Sequence, residues 1–184
     1  MKRLLLTIYC LLSLGCGLFA EEVEHIKFMG FPLTGSIDEV QARLMRKDFK
    51  VGAMNKTMAV GSRLFKGFFT GKEASVIVYY NKSLDNQVYS TRVFFDKHFS
   101  YEASKMAVED MVDRLEARYG TRPERVFADD VDQYEKHTLS VYGGWIYVWT
   151  QKQREWDENS YLLLLEYHDA ENELQNYRLE NEDL

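Results

Sequence analysis

Between Leu64 and Asp96 three strand-patterned runs follow one another with only short connections, and this spacing constrains the fold more than any other feature. Leu64 to Thr70, Ala74 to Asn81 and Gln87 to Asp96 are rich in Val, Ile, Phe and Tyr. Gly71-Lys72 and Ser83-Leu84-Asp85-Asn86 supply the turns. A parallel crossover needs about a dozen residues or more, so these runs are expected to pair as an antiparallel meander.

Helical signals stand on either side of the meander. Ser36-Ile37-Asp38-Glu39 has the form of a capping box, and Ile37, Val40 and Leu44 follow at helical spacing, which predicts a helix over 37–48. Ser100 is the expected N-cap of a second helix. Ala103, Ala107, Met111 and Leu115 form one row on it, and Val108, Val112 and Tyr119 the next. Gly120 suits its C-terminal cap, and Pro123 prevents continuation. Residues 25–31 read as a short strand, 51–63 show no clear period and 128–136 read as an acidic loop. Val141 to Trp149 and Tyr161 to His168 read as further strands. Leu174, Tyr177 and Leu179 are the residues expected to dock a short last element.

Strand runs that follow helices, rather than alternating with them, indicate an α+β fold. The expectation is an antiparallel sheet of about six to eight strands with two main helices packed on one face. A degenerate α-β-β-β duplication, with half-repeats 36–96 and 100–168, is compatible with this order.

The N-terminus reads as an export signal. Lys2 and Arg3 precede an apolar run from Leu4 to Leu14, which is too short to span a bilayer comfortably, and small residues lead to Ala20 before Glu21. This predicts a signal peptide over 1–20 and a single domain over 21–184, placed in the periplasm or secreted. The alternative is an outer-membrane lipoprotein. Ser13-Leu14-Gly15-Cys16 resembles a lipobox that has Ser13 where Leu is expected, and membrane association would depend on lipidation of Cys16. Cleavage after Ala20 removes Cys10 and Cys16, the only cysteines, so no disulfide or thiolate chemistry is expected.

Charge narrows the function classes. The formal net charge is −6, and loss of Lys2 and Arg3 takes it to −8, which argues against nucleic acid as a partner. The charge is unevenly spread. Residues 43–72 hold eight basic residues against Asp48, whereas 155–184 hold ten acidic residues against Arg178. Such asymmetry can steer an anionic partner, or it can be neutralised within the fold.

Local catalytic and metal motifs are missing. There is no G-x-S-x-G, H-E-x-x-H, Walker loop or G-x-G-x-x-G. None of His25, His98, His137 and His168 has a second His at i+2, i+3 or i+4. Asp129, Asp130 and Asp132 with Glu135 lack the glycine and distal glutamate of a calcium loop, so a solvated acidic turn is expected. No cofactor, no metal and no catalytic residue is assigned.

Trp145, Tyr147 and Trp149 alternate along one strand and share a face, while Ile146 and Val148 share the other. Ile146 and Val148, with Leu162 and Leu164, can meet the helical layer. The three rings then point away from it, with Tyr161, Leu163 and Leu165 beside them. Trp and Tyr give large contact area at low entropy cost, so Trp145, Tyr147, Trp149 and Tyr161 are the candidate binding residues. The expected function is an exported non-enzymatic module binding a protein partner. A carbohydrate or small-ligand platform using Gln151, Arg154 and Asn159 is the alternative, and a hydrolase with a non-local site is the third reading. In the competing placement the rings form the core.

Two resemblances accompany this reading. His25-x-x-Phe28-x-Gly30-x-Pro32-Leu33-x-Gly35-Ser36-x-Asp38-Glu39 resembles the opening of uncharacterised small secreted proteins from Gram-negative gut anaerobes. Leu115-x-x-x-Tyr119-Gly120-x-x-Pro123 and Tyr167-x-Asp169-x-x-Asn172 are similar to theirs too. The family implies no activity. The helix-then-strands layout is similar to β-lactamase-inhibitor-protein-like domains, which implies tandem α/β units presenting a sheet face to a protein.

Overall fold

The computed structural model describes residues 23–53, 61–129, 134–152 and 160–181. The expected leader with Cys10 and Cys16, and Asp130, Asp132, Arg154 and Asn159, lie outside the described residues.

The fold is α+β. Lys27–Phe28 (β1) and Phe31–Pro32 (β2) form a small hairpin, followed by helix α1 (Ile37–Met45). Then come β3 (Lys50–Val51), β4 (Ser62–Phe69), β5 (Lys72–Asn81), β6 (Gln87–Phe99) and helix α2 (Tyr101–Tyr119). The second set is β7 (Glu124–Asp129), β8 (Tyr134–Val141), β9 (Gly144–Lys152) and β10 (Tyr161–Asp169), and helix α3 (Ala170–Asn181) follows. One eight-stranded antiparallel sheet has the order β3-β4-β5-β6-β10-β9-β8-β7. Read outward from its centre, one side runs β6-β5-β4-β3 and the other β10-β9-β8-β7. Each half is thus a helix followed by a four-strand meander, and the two meanders meet through their last strands.

The local signals account for most of these elements. Ser36 caps α1, its hydroxyl accepting from Glu39 N at 3.3 Å while Ser36 N donates to Glu39 Oε2 at 3.0 Å. Ser100 caps α2, and Gly120 ends it with φ +75°. The helix expected over 37–48 stops at Met45 because the chain turns sharply, with Asp48 at φ +64°, to bury Phe49. The single strand expected over 25–31 is instead a hairpin turning at Met29 and Gly30, both at positive φ.

Several expectations need correction. Of the 128–136 stretch expected as a loop, 128–129 and 134–136 belong to β7 and β8, which pair at the sheet edge; 130–133 lie outside the described residues. Each half has four strands rather than three, because β3 and β7 join the outer edges. An outer strand needs only one partner and buries less, so its sequence carries a weak apolar period. On α3, Leu174 and Tyr177 are exposed, and the residues that dock are Asn172 and Asn176. The Asn172 amide donates to the carbonyl oxygen of Val88 at 2.8 Å and that of Leu33 at 3.3 Å, and Asn81 donates to Asn176 at 2.7 Å. Buried polar contacts of this kind leave no hydrophobic pattern to read.

The core lies between one face of the sheet and helices α1 and α2. Ile37, Val40 and Leu44 of α1 and Val108, Met111, Val112 and Leu115 of α2 belong to one cluster with Phe65, Val76, Val93, Phe95, Ile146 and Val148. The N-terminal hairpin adds Phe28, which stacks on Phe69 with ring centroids 5.7 Å apart and meets the edge of Tyr167 at 5.1 Å. Complete burial of such a ring contributes roughly 2–3 kcal/mol.

Candidate functional site

The register of β9 decides which rings leave the core. Ile146 and Val148 are about 1 % exposed and lie in the core cluster. Alternation along the strand therefore places Trp145, Tyr147 and Trp149 on the face opposite α1 and α2. Trp145 and Tyr147 are partly exposed, whereas Trp149 is 8 % exposed and counts as buried.

The neighbours of this row differ from expectation. Leu164, Glu166 and His168 stand directly opposite Trp149, Tyr147 and Trp145 and share their face. Leu163, Leu165 and Tyr167 supply the helix-facing row instead of Leu162 and Leu164. Tyr161 is corrected with them. It is fully buried, its ring lies 5.7 Å from that of Tyr101 at the start of α2, and it is not part of the ring face. The reason is parity: four consecutive leucines show no period, and only pairing of Leu165 with Val148 sets which ones turn inward.

The ring face is interleaved with charge. On β6, Arg92 pairs with Glu166, with Nε at 3.1 Å and Nη2 at 2.8 Å from Oε1. The same guanidinium lies 5.5 Å from the centroid of Trp149 and 5.6 Å from that of Tyr79. On β8, Lys136 Nζ is 3.4 Å from the centroid of Tyr147 and 5.4 Å from that of Trp149. On β10, the His168 ring is stacked on Trp145 with centroids 5.3 Å apart, and it meets Tyr147 edge-on. Cation–ring contacts of this kind are each worth about 0.5–2 kcal/mol.

Burial and pairing tune these groups. Burial alone would lower the affinity of His168 for its proton. Glu166 Oε2, 3.5 Å from Nε2, and Glu173 Oε2, 3.2 Å from Nδ1, outweigh it and raise the pKa to about 9. Burial pushes the Glu166 carboxyl up, but His168 and Arg92 together hold it below the usual range. Lys136 is lowered, first by burial and then by Arg92, with Glu166 opposing. Tyr79 is raised, mainly by burial.

Beside the row, a groove of about 410 Å³ runs between Trp145 and the α3 residues Ala170, Glu173, Leu174, Asn176 and Tyr177. The indole N–H of Trp145 has no acceptor among the described residues. A larger groove of about 780 Å³ opens on the helical side, lined by Phe95, Phe99, Ala103, Ala107 and Leu163 and crossed at its rim by Lys72 and Asp110, 3.7 Å apart.

Of the other residues singled out above, Gln151 is exposed on the ring face. His25 is tied to buried Asp169, whose carboxylate also accepts from Ile26 N and Asn172 N. Part of the uneven charge is paired within the fold: Arg63 with Asp38 and Lys72 with Asp110 from the basic stretch, Glu166 with Arg92 and Glu173 with His168 from the acidic one. Glu109, Glu135 and His137 bring three donor atoms within 4.8 Å of one another, a set that suits a first-row divalent metal. Arg122 already binds Glu109 at 2.8 Å, and Arg125 stands 3.9 Å from Glu135.

Sequence reasoning missed Arg92 and Lys136. Nothing local marks them, because their ring partners come from other strands. The chain matches no known protein family, no curated protein and no solved structure.

Proposed function

We propose that the chain is an exported, non-enzymatic binding module that offers the ring face of its sheet to a protein partner. One observation carries this reading. Trp145 and Tyr147 stand partly exposed on the face that neither α1 nor α2 covers, while Ile146 and Val148 seal the core behind them. Rigid rings on a rigid strand form a pre-organised contact surface. The faces of Tyr147 and Trp149 are engaged by Lys136 and Arg92, which favours a protein surface over the stacking of sugar rings.

The test is a photo-crosslinking residue placed at Tyr147, with the same residue at exposed Met106 on α2 as control. In envelope preparations of the source cell, Tyr147 is expected to trap one discrete protein that Met106 does not. The trap should weaken when Trp145→Ala is added. Identical products from both positions, or none from Tyr147, would end this reading. Export rests on the leader pattern, and mass spectrometry of the mature N-terminus is expected to find Glu21 rather than a lipidated Cys16.

A further inference from the structure

We infer that Lys136 and Arg92, set against Trp149, form a carboxylate-binding subsite that receives an acidic, extended segment of the protein partner. This rests on the reading of the ring face as the docking surface and names the chemistry that docks there.

The argument starts from hydrogen bonds left unmade. Lys136 is partly buried between two rings, and its ammonium carries three N–H donors. Among the described residues it has no hydrogen-bond acceptor and no carboxylate within 4 Å; its contacts are the rings of Tyr147 and Trp149. A ring quadrupole attracts a cation but accepts none of those bonds well. Arg92 approaches the same indole, so two cations flank one ring, and the nearby Glu166 is shared between Arg92 and His168. A further carboxylate placed at Lys136 would meet the free donors and offset the repulsion between the two cations.

The far end of the same sheet rung repeats the pattern. Lys136 stands opposite Trp149, Trp149 opposite Leu164, Leu164 opposite Phe94, Phe94 opposite Ser75 and Ser75 opposite Lys66. Lys66 in turn lies directly opposite Lys50 on β3. Like charges directly opposed across strands destabilise the pair, and neither lysine has a carboxylate partner among the described residues. Between Lys136 and Lys66 the rung thus carries rings, and a lysine without an ion pair among the described residues stands on either side of them; Asp48 and Glu73 line the same groove as Lys50 and Lys66. Five strand steps separate Lys66 from Lys136, about 24 Å, which an extended segment of roughly seven residues spans. Glu124 lies on the neighbouring rung opposite Thr138 with Glu166 at that rung's centre, and Glu73 lies one rung to the other side, opposite Phe68, so these acidic groups sit beside the lysine line and not on it.

Charge selects the occupant. The chain as a whole is acidic, with formal net charge −6, so an anionic partner is repelled elsewhere and guided to this rung. A peptide can place carboxylates at both ends and an apolar side chain over Phe94, the partly exposed ring between them; Trp149 and Leu164 are buried beneath this stretch. A uronic-acid chain carries its charge at every sugar and has no apolar counterpart for that stretch.

The experiment uses the full mature chain and follows the Trp149 indole N–H by NMR, with an octaglutamate peptide as the probe and an oligogalacturonate as the competing anion. Octaglutamate is expected to shift this resonance saturably at low salt. Binding should weaken roughly tenfold when NaCl is raised to about 0.5 M. Lys136→Gln should weaken it by a similar factor, Lys136→Arg should retain it, and Lys105→Gln on α2 should leave it unchanged. An unchanged thermal midpoint keeps Lys136→Gln interpretable. Absence of a shift, a shift insensitive to Lys136→Gln, or equal binding of oligogalacturonate would overturn the inference. The Tyr147 crosslink separates the two failures: if it forms undiminished in Lys136→Gln, the docking face stands and the carboxylate subsite falls.

Discussion

The imidazole of His168 lies flat on the indole of Trp145, with centroids 5.3 Å apart and planes inclined by 8°. Glu166 and Glu173 hold that imidazole from either side, so the stacked ring is a cation at neutral pH. The contact joins the end of the ring row to the first turn of α3.

This arrangement makes stability depend on alkaline pH. The folded-state pKa of His168 is raised to about 9, above the ordinary value of about 6.5. The stabilisation is therefore complete below the unfolded pKa and is lost as pH rises through the folded one. The shift corresponds to roughly 3 kcal/mol as an upper figure, reduced by residual solvent contact. Urea unfolding at about pH 6 and about pH 9 should show a loss of this order that is absent in His168→Gln. Equal pH dependence in the two proteins would refute the assignment.

The two faces of β9 should respond differently to truncation. Ile146→Ala opens a cavity in the core and is expected to cost about 3 kcal/mol. Trp145→Ala removes a partly exposed ring stacked on His168 and is expected to cost about 1 kcal/mol. Denaturant midpoints with unchanged slopes measure both, and a larger loss for Trp145→Ala would contradict the placement of the core.

Asp169 ties the ends of the domain together. Its fully buried carboxylate lies 3.0 Å from His25 Nδ1 and accepts from Ile26 N at 3.0 Å and Asn172 N at 3.1 Å. Asp169→Ala leaves these donors without their acceptor and is expected to cost about 3 kcal/mol. Asp169→Asn keeps an acceptor oxygen and should cost less. Thermal unfolding of the pair tests the order, and identical midpoints for Asp169→Ala and the native protein would dismiss the clasp.

The hairpin entry into β9 tolerates no side chain at Gly144. A Cβ there would lie 1.9 Å from the carbonyl oxygen of His168 in the neighbouring strand. Gly144→Ala is expected to break the β9–β10 register that carries the ring row. The loss should exceed about 3 kcal/mol, visible as failure to accumulate folded protein or as a collapsed thermal midpoint. A normally folded Gly144→Ala would disprove that close approach.

Local rules reached a long way into this fold. The capping box at Ser36 and Glu39, the cap at Ser100 and the left-handed Gly120 all act within a few residues, and each is where the sequence places it. Short turns made the meander antiparallel, and alternation was enough to split Trp145, Tyr147 and Trp149 from Ile146 and Val148. What depends on pairing was not legible. The leucine run at 162–165 has no internal period, so only the register of β10 against β9 turned Leu163 and Leu165 inward and buried Tyr161 under α2.

By itself, then, the sequence determined the elements, their caps and the division of β9 into two rows, because hydrogen-bond geometry and side-chain alternation operate over a few neighbouring residues, while packing decided which row faces the core. Only the tertiary structure decided that Arg92, Lys136, Glu166 and His168 share that face, that Asn172 and Asn176 rather than Leu174 and Tyr177 seat α3, and that β3 and β7 complete the sheet. Those outcomes follow from register between strands far apart in the chain, which no local pattern encodes.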